Sequence, residues 1–371
     1  MKILLAGGGT AGHINPALSI ANFIKSRKPE CEIRFVGSKE GLETTLVPKA
    51  GYQLSTIEVY GFKRSLSLYN IKAIGHLLSS VREAGRIIDA FQPDVVIGTG
   101  GYVSGPVLYA ASRRKLPTAI HEQNAFPGVT TRILSRMVDR VMISFESSRV
   151  HFKDQKKPVL VGNPIREEML FCAKEEARAK LALPQGPLVA SFAGSLGARE
   201  FNKSIVDVIA RNVRDRKFCH IHATGKYGWR WVPGLLAEKG VSLEGQDAIR
   251  VSEYIYNMPD VMAAADLLVC RSGAITLGEI AVMGKPAILI PSPNVTNNHQ
   301  YHNAMAFVNA GAAVLLEEKE ATGDRIYTQI CKLLGDPAKL REMAENAHKL
   351  AIFDSTQKIY DLINELIRKK E

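Results

Sequence analysis

No apolar run in this 371-residue chain approaches the ~20 residues needed to cross a bilayer, which argues against a spanning helix. The opening MKILLAGGG lacks the apolar stretch of about 7 to 15 residues that marks a secretion signal. Cysteine is scarce: five residues, at 31, 172, 219, 270 and 331, odd in number and never spaced CxxC. That excludes a disulfide framework and a thiolate metal site, and points to a reducing, cytoplasmic compartment. The sequence is read as offering no D-x-D or H-x-H pair to hold a divalent ion against a diphosphate, so neither a metal nor another cofactor is expected. Nor is there a basic run interleaved with stacking aromatics, and a nucleic-acid partner is not expected.

Glycine and positive charge are what the chain does have. It carries 30 glycines, 46% hydrophobic residues and a formal charge of +11, and its length suits two packed cores. The charge is uneven: through Asn163 there are 22 Lys or Arg against 12 Asp or Glu, and beyond it 26 against 25. A basic first half suits an anionic partner, whether nucleic acid, membrane or substrate, and charge alone does not choose among them.

Short aliphatic runs recur with helical patterns between them. KILLA, EIRFVG, DVVIG, PTAIH, RVMIS and PVLVG lie in the first half; PLVASFAG, KFCHIHATG, ADLLVC, PAILIP and AAVLLE lie in the second. Strands that are apolar throughout, rather than alternating, belong to parallel sheets covered by helices on both faces, which gives an α/β, doubly wound fold. Both halves open with a strand, a glycine turn and a helix, Gly7 to Gly12 in one and Gly194 to Gly197 in the other. Two Rossmann-like domains follow, residues 1–163 and 164–350, with Pro164 at the boundary and a C-terminal helix over 351–371 expected to pack back on the first domain.

The first turn reads GGGTAGHINP. Gly7, Gly9 and Gly12 fit G-x-G-x-x-G, the spacing that brings a helix N-terminus against a phosphate. A histidine follows at once, however, and His13 is a natural proton acceptor because imidazole titrates near neutrality. GTGGYVSGP is a second glycine turn in the same half; parallel strands end on one edge, so Gly100, Gly101 and Tyr102 should meet the first turn. HEQN should deliver His121, Glu122 and Asn124 to the same rim, near the acceptor. In the second half, RSGAITLGE places Ser272 and Gly273 as a turn and N-cap, with Glu279 about two helical turns on, where a carboxylate suits the two hydroxyls of a ribose. NNHQYHNA supplies Gln300, able to donate to and accept from a sugar. Arg166 and helix N-termini can balance phosphate charge without a metal. Residues 62–91 mix Leu66, Leu68, Tyr69, Ile71, Ile74, Leu77 and Leu78 with Lys63, Arg64, Lys72, Arg82 and Arg86. That mixture fits contact with an anionic phospholipid membrane and fits an ordinary half-buried helix equally well.

Taken in order, GGGTAGHINP, GTGGYVSGP, HEQN, VGNPIR, AGSLGAR, RSGAITLGE and NNHQYHNA resemble glycosyltransferase family 28. Its bacterial peptidoglycan enzymes add N-acetylglucosamine to undecaprenyl-diphospho-muramoyl-pentapeptide at the cytoplasmic face of the inner membrane. The resemblance implies a GT-B fold whose two Rossmann-like domains face a deep cleft. It implies UDP-N-acetylglucosamine as donor, a peripheral membrane location and other cell-wall synthesis proteins as partners. It places Thr10, Gly12, Asn124, Arg166, Ser195, Ile255, Glu279 and Gln300 at donor-binding positions, Ile255 by the uracil, with His13 as the base. His299, Ala193 and Leu196 depart from the residues usual in the family.

Three other classes compete. An NAD-dependent dehydrogenase expects an acid about 20 residues after the glycine turn, whereas EIRFVG ends in Ser38 and Lys39, with Glu40 the nearest candidate. A nucleotide-sugar 2-epimerase shares the two-domain appearance but has no need of a basic, apolar acceptor face. A basic nucleic-acid module leaves Glu279, Gln300 and both glycine turns unused.

Overall fold

The computed structural model describes residues 1–59 and 68–369, the side chains of 68–75 excepted. The chain divides into two units, Met1–Ile165 joined by Asp354–Glu371, and Arg166–Phe353.

The first unit is built on seven parallel strands: β1 (Lys2–Gly7), β2 (Glu32–Ser38), β3 (Gln53–Ile57), β4 (Val95–Gly100), β5 (Thr118–Glu122), β6 (Arg140–Ile143) and β7 (Pro158–Leu160). They lie in the order β3-β2-β1-β4-β5-β6-β7. Successive side chains of a strand face opposite sides, and β1 shows why all must be apolar. Ile3 and Leu5 pack under helix α1 (Ala11–Arg27) together with Ile359, Leu362, Ile363 and Leu366 of the C-terminal helix Ser355–Arg368. Leu4 and Ala6 point the other way, toward Ala84 and Ile88 of helix α3 (Leu68–Phe91) and Val107 and Ala111 of helix α4 (Ser104–Arg113). Between β2 and β3 runs the short helix α2 (Glu43–Lys49).

The second unit repeats the plan with β8 (Leu188–Phe192), β9 (Cys219–Ala223), β10 (Ile249–Ser252), β11 (Leu267–Cys270), β12 (Ala287–Leu289) and β13 (Ala313–Leu315), ordered β10-β9-β8-β11-β12-β13. Both orders begin 3-2-1-4-5-6 when counted from each unit's own first strand, the doubly wound nucleotide-binding arrangement. Val189, Leu267, Val269 and Ile288 of the sheet meet Phe201, Ile205 and Ile209 of the helix Arg199–Asp215.

β3 and β10, which the apolar runs do not announce, are the edge strands on the same side of the two sheets. Each shows one buried residue among half-buried or exposed ones. An edge strand is covered less, so QLSTI and IRVS carry polar residues at half-buried or exposed positions.

Within α3, Ala84, Ile88 and Phe91 are buried, while Leu77 and Leu78 are 39% and 62% exposed; Arg82 and Arg86 are exposed as well. Lys63, Arg64 and Leu66 lie outside the described residues, and the side chains of Leu68, Tyr69, Ile71, Lys72 and Ile74 lie outside them too. No described helix is long and apolar enough to cross a membrane.

Candidate active site

The two glycine turns of the first unit meet at the carboxyl end of its sheet. A Cβ on Gly101, at φ +77°, would lie 2.4 Å from the Gly8 carbonyl oxygen, and one on Gly100, at φ +109°, would fall 2.4 Å from His13 Nδ1. Glycine alone tolerates both the backbone angle and the approach. Buried Ser104, at the start of α4, stitches the turns: its Oγ lies 2.8 Å from the Ala6 carbonyl oxygen and accepts from the Gly100 amide.

His13 sits half-buried in the first turn of α1. Its Nδ1 lies 3.1 Å from the Thr99 carbonyl oxygen and 3.2 Å from Gln123 Oε1, while Thr99 Oγ1 donates to the His13 carbonyl. Two acceptors facing Nδ1 assign the proton to that nitrogen and leave Nε2 as the basic one. Gln123 is oriented in turn, donating through Nε2 to the Thr99 carbonyl (2.8 Å) and to His121 Nδ1 (3.0 Å). His121 Nε2 donates to the Gly162 carbonyl (2.9 Å), so its Nδ1 is bare and can accept. The hydrogen-bond pattern thus assigns each tautomer from Gly162 through to His13.

His121 and Glu122 do not reach the rim. β5 continues through Glu122, leaving the two residues 0% and 3% exposed. Burial lowers the His121 pKa to about 4, against the opposing effect of the Gly162 bond, and the ring is a neutral interior group. Glu122 accepts from the Asn124 amide, Asn124 Nδ2 and the Gly128 amide at 3.0 to 3.2 Å. Both residues therefore act by holding neighbours, His121 by way of Gln123 and Glu122 through Asn124. Thr10, Gly12 and Tyr102 are exposed, and Asn124 is half-buried. Gln123 and Thr99 are the residues the sequence reading missed, although both lie inside motifs it singled out.

In the second unit Arg166 Nε and Nη2 both donate to Glu279 Oε1, at 3.0 and 2.9 Å. Glu279 is 7% exposed; burial raises its pKa while Arg166 works against that rise. The two residues expected to meet phosphate and ribose thus hold each other in place. Gln300 Oε1 accepts from the Ser292 amide (2.9 Å), and Ser272 Oγ donates to the Gln300 carbonyl (2.7 Å). Ser272 is accordingly not a side-chain cap: Gly273 precedes the helix Ala274–Val282, and the Ser272 hydroxyl is bonded elsewhere. Ser195 is exposed on the turn whose Gly194 and Gly197 have φ of +84° and +78°. Ile255 is buried between exposed Tyr254 and Tyr256.

His220 and His222 in β9 form an H-x-H pair, against the expectation from the sequence that none is present. Both rings are fully buried, with Ser191 Oγ 2.8 Å from His220 Nε2 and 2.8 Å from His222 Nδ1. They are core groups rather than surface ligands. Among the described residues no group of three His, Cys, Asp or Glu is placed to hold a metal ion.

Comparison with known proteins matches residues 3–143 to the glycosyltransferase family 28 N-terminal domain and residues 188–366 to its C-terminal domain. The chain belongs to glycosyltransferase family 28. A family 28 relative from Acetivibrio thermocellus is 48% identical over 371 residues, covering 100% of this chain and 99% of its own. It is named UDP-N-acetylglucosamine–N-acetylmuramyl-(pentapeptide) pyrophosphoryl-undecaprenol N-acetylglucosamine transferase. Among solved structures, Acinetobacter baumannii MurG superposes with a TM-score of 0.78 at 24% identity, covering 98% of this chain and 99% of that one. UDP-GlcNAc 2-epimerase from Neisseria meningitidis, bound to UDP-GlcNAc, gives 0.66 at 15% identity, over 98% and 100%. At such identities the structural likeness speaks for the GT-B fold alone, which transferases and epimerases share.

Proposed function

We propose that this chain transfers N-acetylglucosamine from UDP-N-acetylglucosamine to the 4-hydroxyl of the muramoyl residue of undecaprenyl-diphospho-muramoyl-pentapeptide (lipid I), releasing UDP and forming lipid II. The observation that carries this reading is relationship at 48% identity along the whole chain, a level that the epimerases do not approach.

The reaction is a single displacement. The acceptor oxygen attacks the anomeric carbon, its proton passes to His13 Nε2, and the bond to UDP breaks with its electron pair leaving on the diphosphate. One displacement inverts the centre, so an α-linked donor gives a β-linked product. His13 suits the step because the Thr99 carbonyl and Gln123 hold its Nδ1 proton and leave Nε2 to accept. The second unit binds the donor, with Glu279 on the ribose, Gln300 on the sugar and Ile255 by the uracil. Arg166, Ser195 and the backbone amides of the second unit's turn, Gly194 to Gly197, face the leaving diphosphate, whose charge they balance without a metal. The first unit binds the acceptor, with Thr10, Gly12 and Asn124 near the donor sugar and Gly100, Gly101 and Tyr102 near the muramoyl group. Exposed Leu77 and Leu78, beside exposed Arg82 and Arg86, support a peripheral seat on an anionic inner-membrane surface.

Incubation with labelled UDP-N-acetylglucosamine and a lipid-linked muramoyl acceptor, with the product identified by mass, tests the reading. Sugar transferred to the acceptor is expected. Formation of the manno epimer without any use of acceptor would replace this reading with an epimerase.

A further inference from the structure

Glu43 lies thirty-four residues from the first glycine turn, yet its carboxylate is the group on which that turn rests. Its Oε2 accepts from the Gly9 amide at 2.9 Å; Oε1 accepts from the Ser38 amide at 2.7 Å and from Ser38 Oγ at 2.6 Å. The residue is 0% exposed. Glycines make room for it: a Cβ on Gly8 would lie 2.1 Å from Oε1, one on Gly41 2.1 Å from Oε2, and one on Gly37 2.4 Å from Cγ. Burial opposes ionisation, but the Ser38 hydroxyl and the Gly9 and Ser38 amides outweigh it, holding the carboxyl below the usual carboxylate range. A buried carboxylate with such donors is a fixed negative charge under the positive end of a helix that begins two residues later.

We propose that Glu43 is a positioning residue for the transfer reaction. It takes, from inside the protein, an amide of the kind that dinucleotide-binding turns offer to a pyrophosphate, and so sets the start of α1, from which Thr10 and His13 project, before any substrate arrives. The formal G-x-G-x-x-G match is thereby explained without a dinucleotide: the anion that this turn needs is a side chain.

Glu43→Gln keeps the shape but supplies only one acceptor atom, so either the Gly9 or the Ser38 amide faces an NH2 group and goes unpaired. Hydrogen exchange followed by mass spectrometry should show faster exchange in peptides covering residues 7–12, with peptides over 194–198 unchanged. Because the inference rests on the proposed transfer, wild-type turnover serves as the control for that reading, and the ratio of variant to wild type tests Glu43. Turnover at saturating substrates is expected to fall by roughly 10-fold to 100-fold, with donor affinity within about twofold of wild type. Ser38→Ala, which removes one donor and leaves both amide bonds, should lower turnover by about threefold in the same direction and keeps the question open to decision if Glu43→Gln does not fold. Wild-type turnover in a folded Glu43→Gln, unchanged exchange over residues 7–12, or wild-type turnover in Ser38→Ala where Glu43→Gln does not fold, would each overturn the proposal.

Discussion

The two units share a strand order and a strand, glycine turn and helix opening, but they place their histidines differently. In the first unit, buried His121 passes its orientation through Gln123 to His13, which is half-buried in the turn. In the second, His220 and His222 share Ser191 in the interior, both fully buried. A second difference concerns charge. The first turn stands on the carboxylate of Glu43, whereas the partially exposed cation Arg166 is bound by buried Glu279 in the second unit. One unit holds a histidine steady from beneath, the other holds a cation and a carboxylate against each other. Duplicated architecture thus says where the sites are, and the side chains beneath each turn say what each can do.

Breaking the first network should have the largest effect. His13→Ala is expected to lower turnover roughly 10²-fold to 10⁴-fold while donor affinity measured by calorimetry stays near wild type, because the lost interaction belongs to the transition state. His13→Asn keeps some hydrogen bonding to Thr99 and Gln123 but has no basic nitrogen, so it separates catalysis from ordering of the turn. A chemistry-limited rate for His13→Asn within about twofold of wild type across the pH range would remove the general-base role.

Breaking the second unit's charge pair should act on binding instead. Glu279→Ala is expected to weaken UDP-N-acetylglucosamine by about 1–3 kcal/mol, the scale of a hydrogen bond lost to a bound polar group, and to leave Arg166 able to reach water because its side chain is already 44% exposed. Unchanged donor affinity would mean that Glu279 serves only to hold Arg166.

The contrast between the units also shows what the sequence could disclose. Central strands were legible because β1, with Ile3 and Leu5 on one face and Leu4 and Ala6 on the other, must be apolar throughout. The edge strands β3 and β10 were not, since half-covered positions accept Gln53, Ser55 and Arg250. The glycine turns were legible from spacing, and His13 from being the ionisable group within one. Glu43, Thr99 and Gln123 were not, because their bonds to the first turn and to His13 span 34, 86 and 110 residues, and no local pattern encodes such contacts. His121 and Glu122 were misplaced for a related reason: a strand that runs a residue or two further turns rim groups into interior ones. His220-x-His222 is an H-x-H pair that the sequence reading counted as absent, because it stands inside a run that reads simply as a strand.

Acid stability should sharpen the comparison with the smallest effect. Burial lowers the pKa of His220 to about 3, helped by His222, and that of His222 to about 4 against its bond to the Ser191 carbonyl; the ordinary value is 6.5. Below pH 6.5 the unfolded chain binds protons that these folded rings refuse, so stability is fully present above that pH. It is lost as the pH falls from about 6.5 toward about 4, and more slowly below that as His222 and then His220 become protonated in the folded state as well. Each ring contributes a slope of up to about 1.4 kcal/mol per pH unit. The first unit has one such ring in His121, the second has two, and the difference is therefore about one proton. The chain's two tryptophans, Trp229 and Trp231, both belong to the second unit, and Trp231 packs on its core. Tryptophan fluorescence during urea unfolding thus follows the second unit, while circular dichroism follows both. Between pH 7 and 5 the fluorescence-detected stability should fall more steeply than the stability read by circular dichroism, which averages over both units. His220→Leu, which keeps an apolar ring-sized group and leaves Ser191 to His222, should reduce that slope by about one proton whatever it does to stability at pH 7. An unchanged slope in His220→Leu would show that His220 is not the neutral interior group its surroundings require.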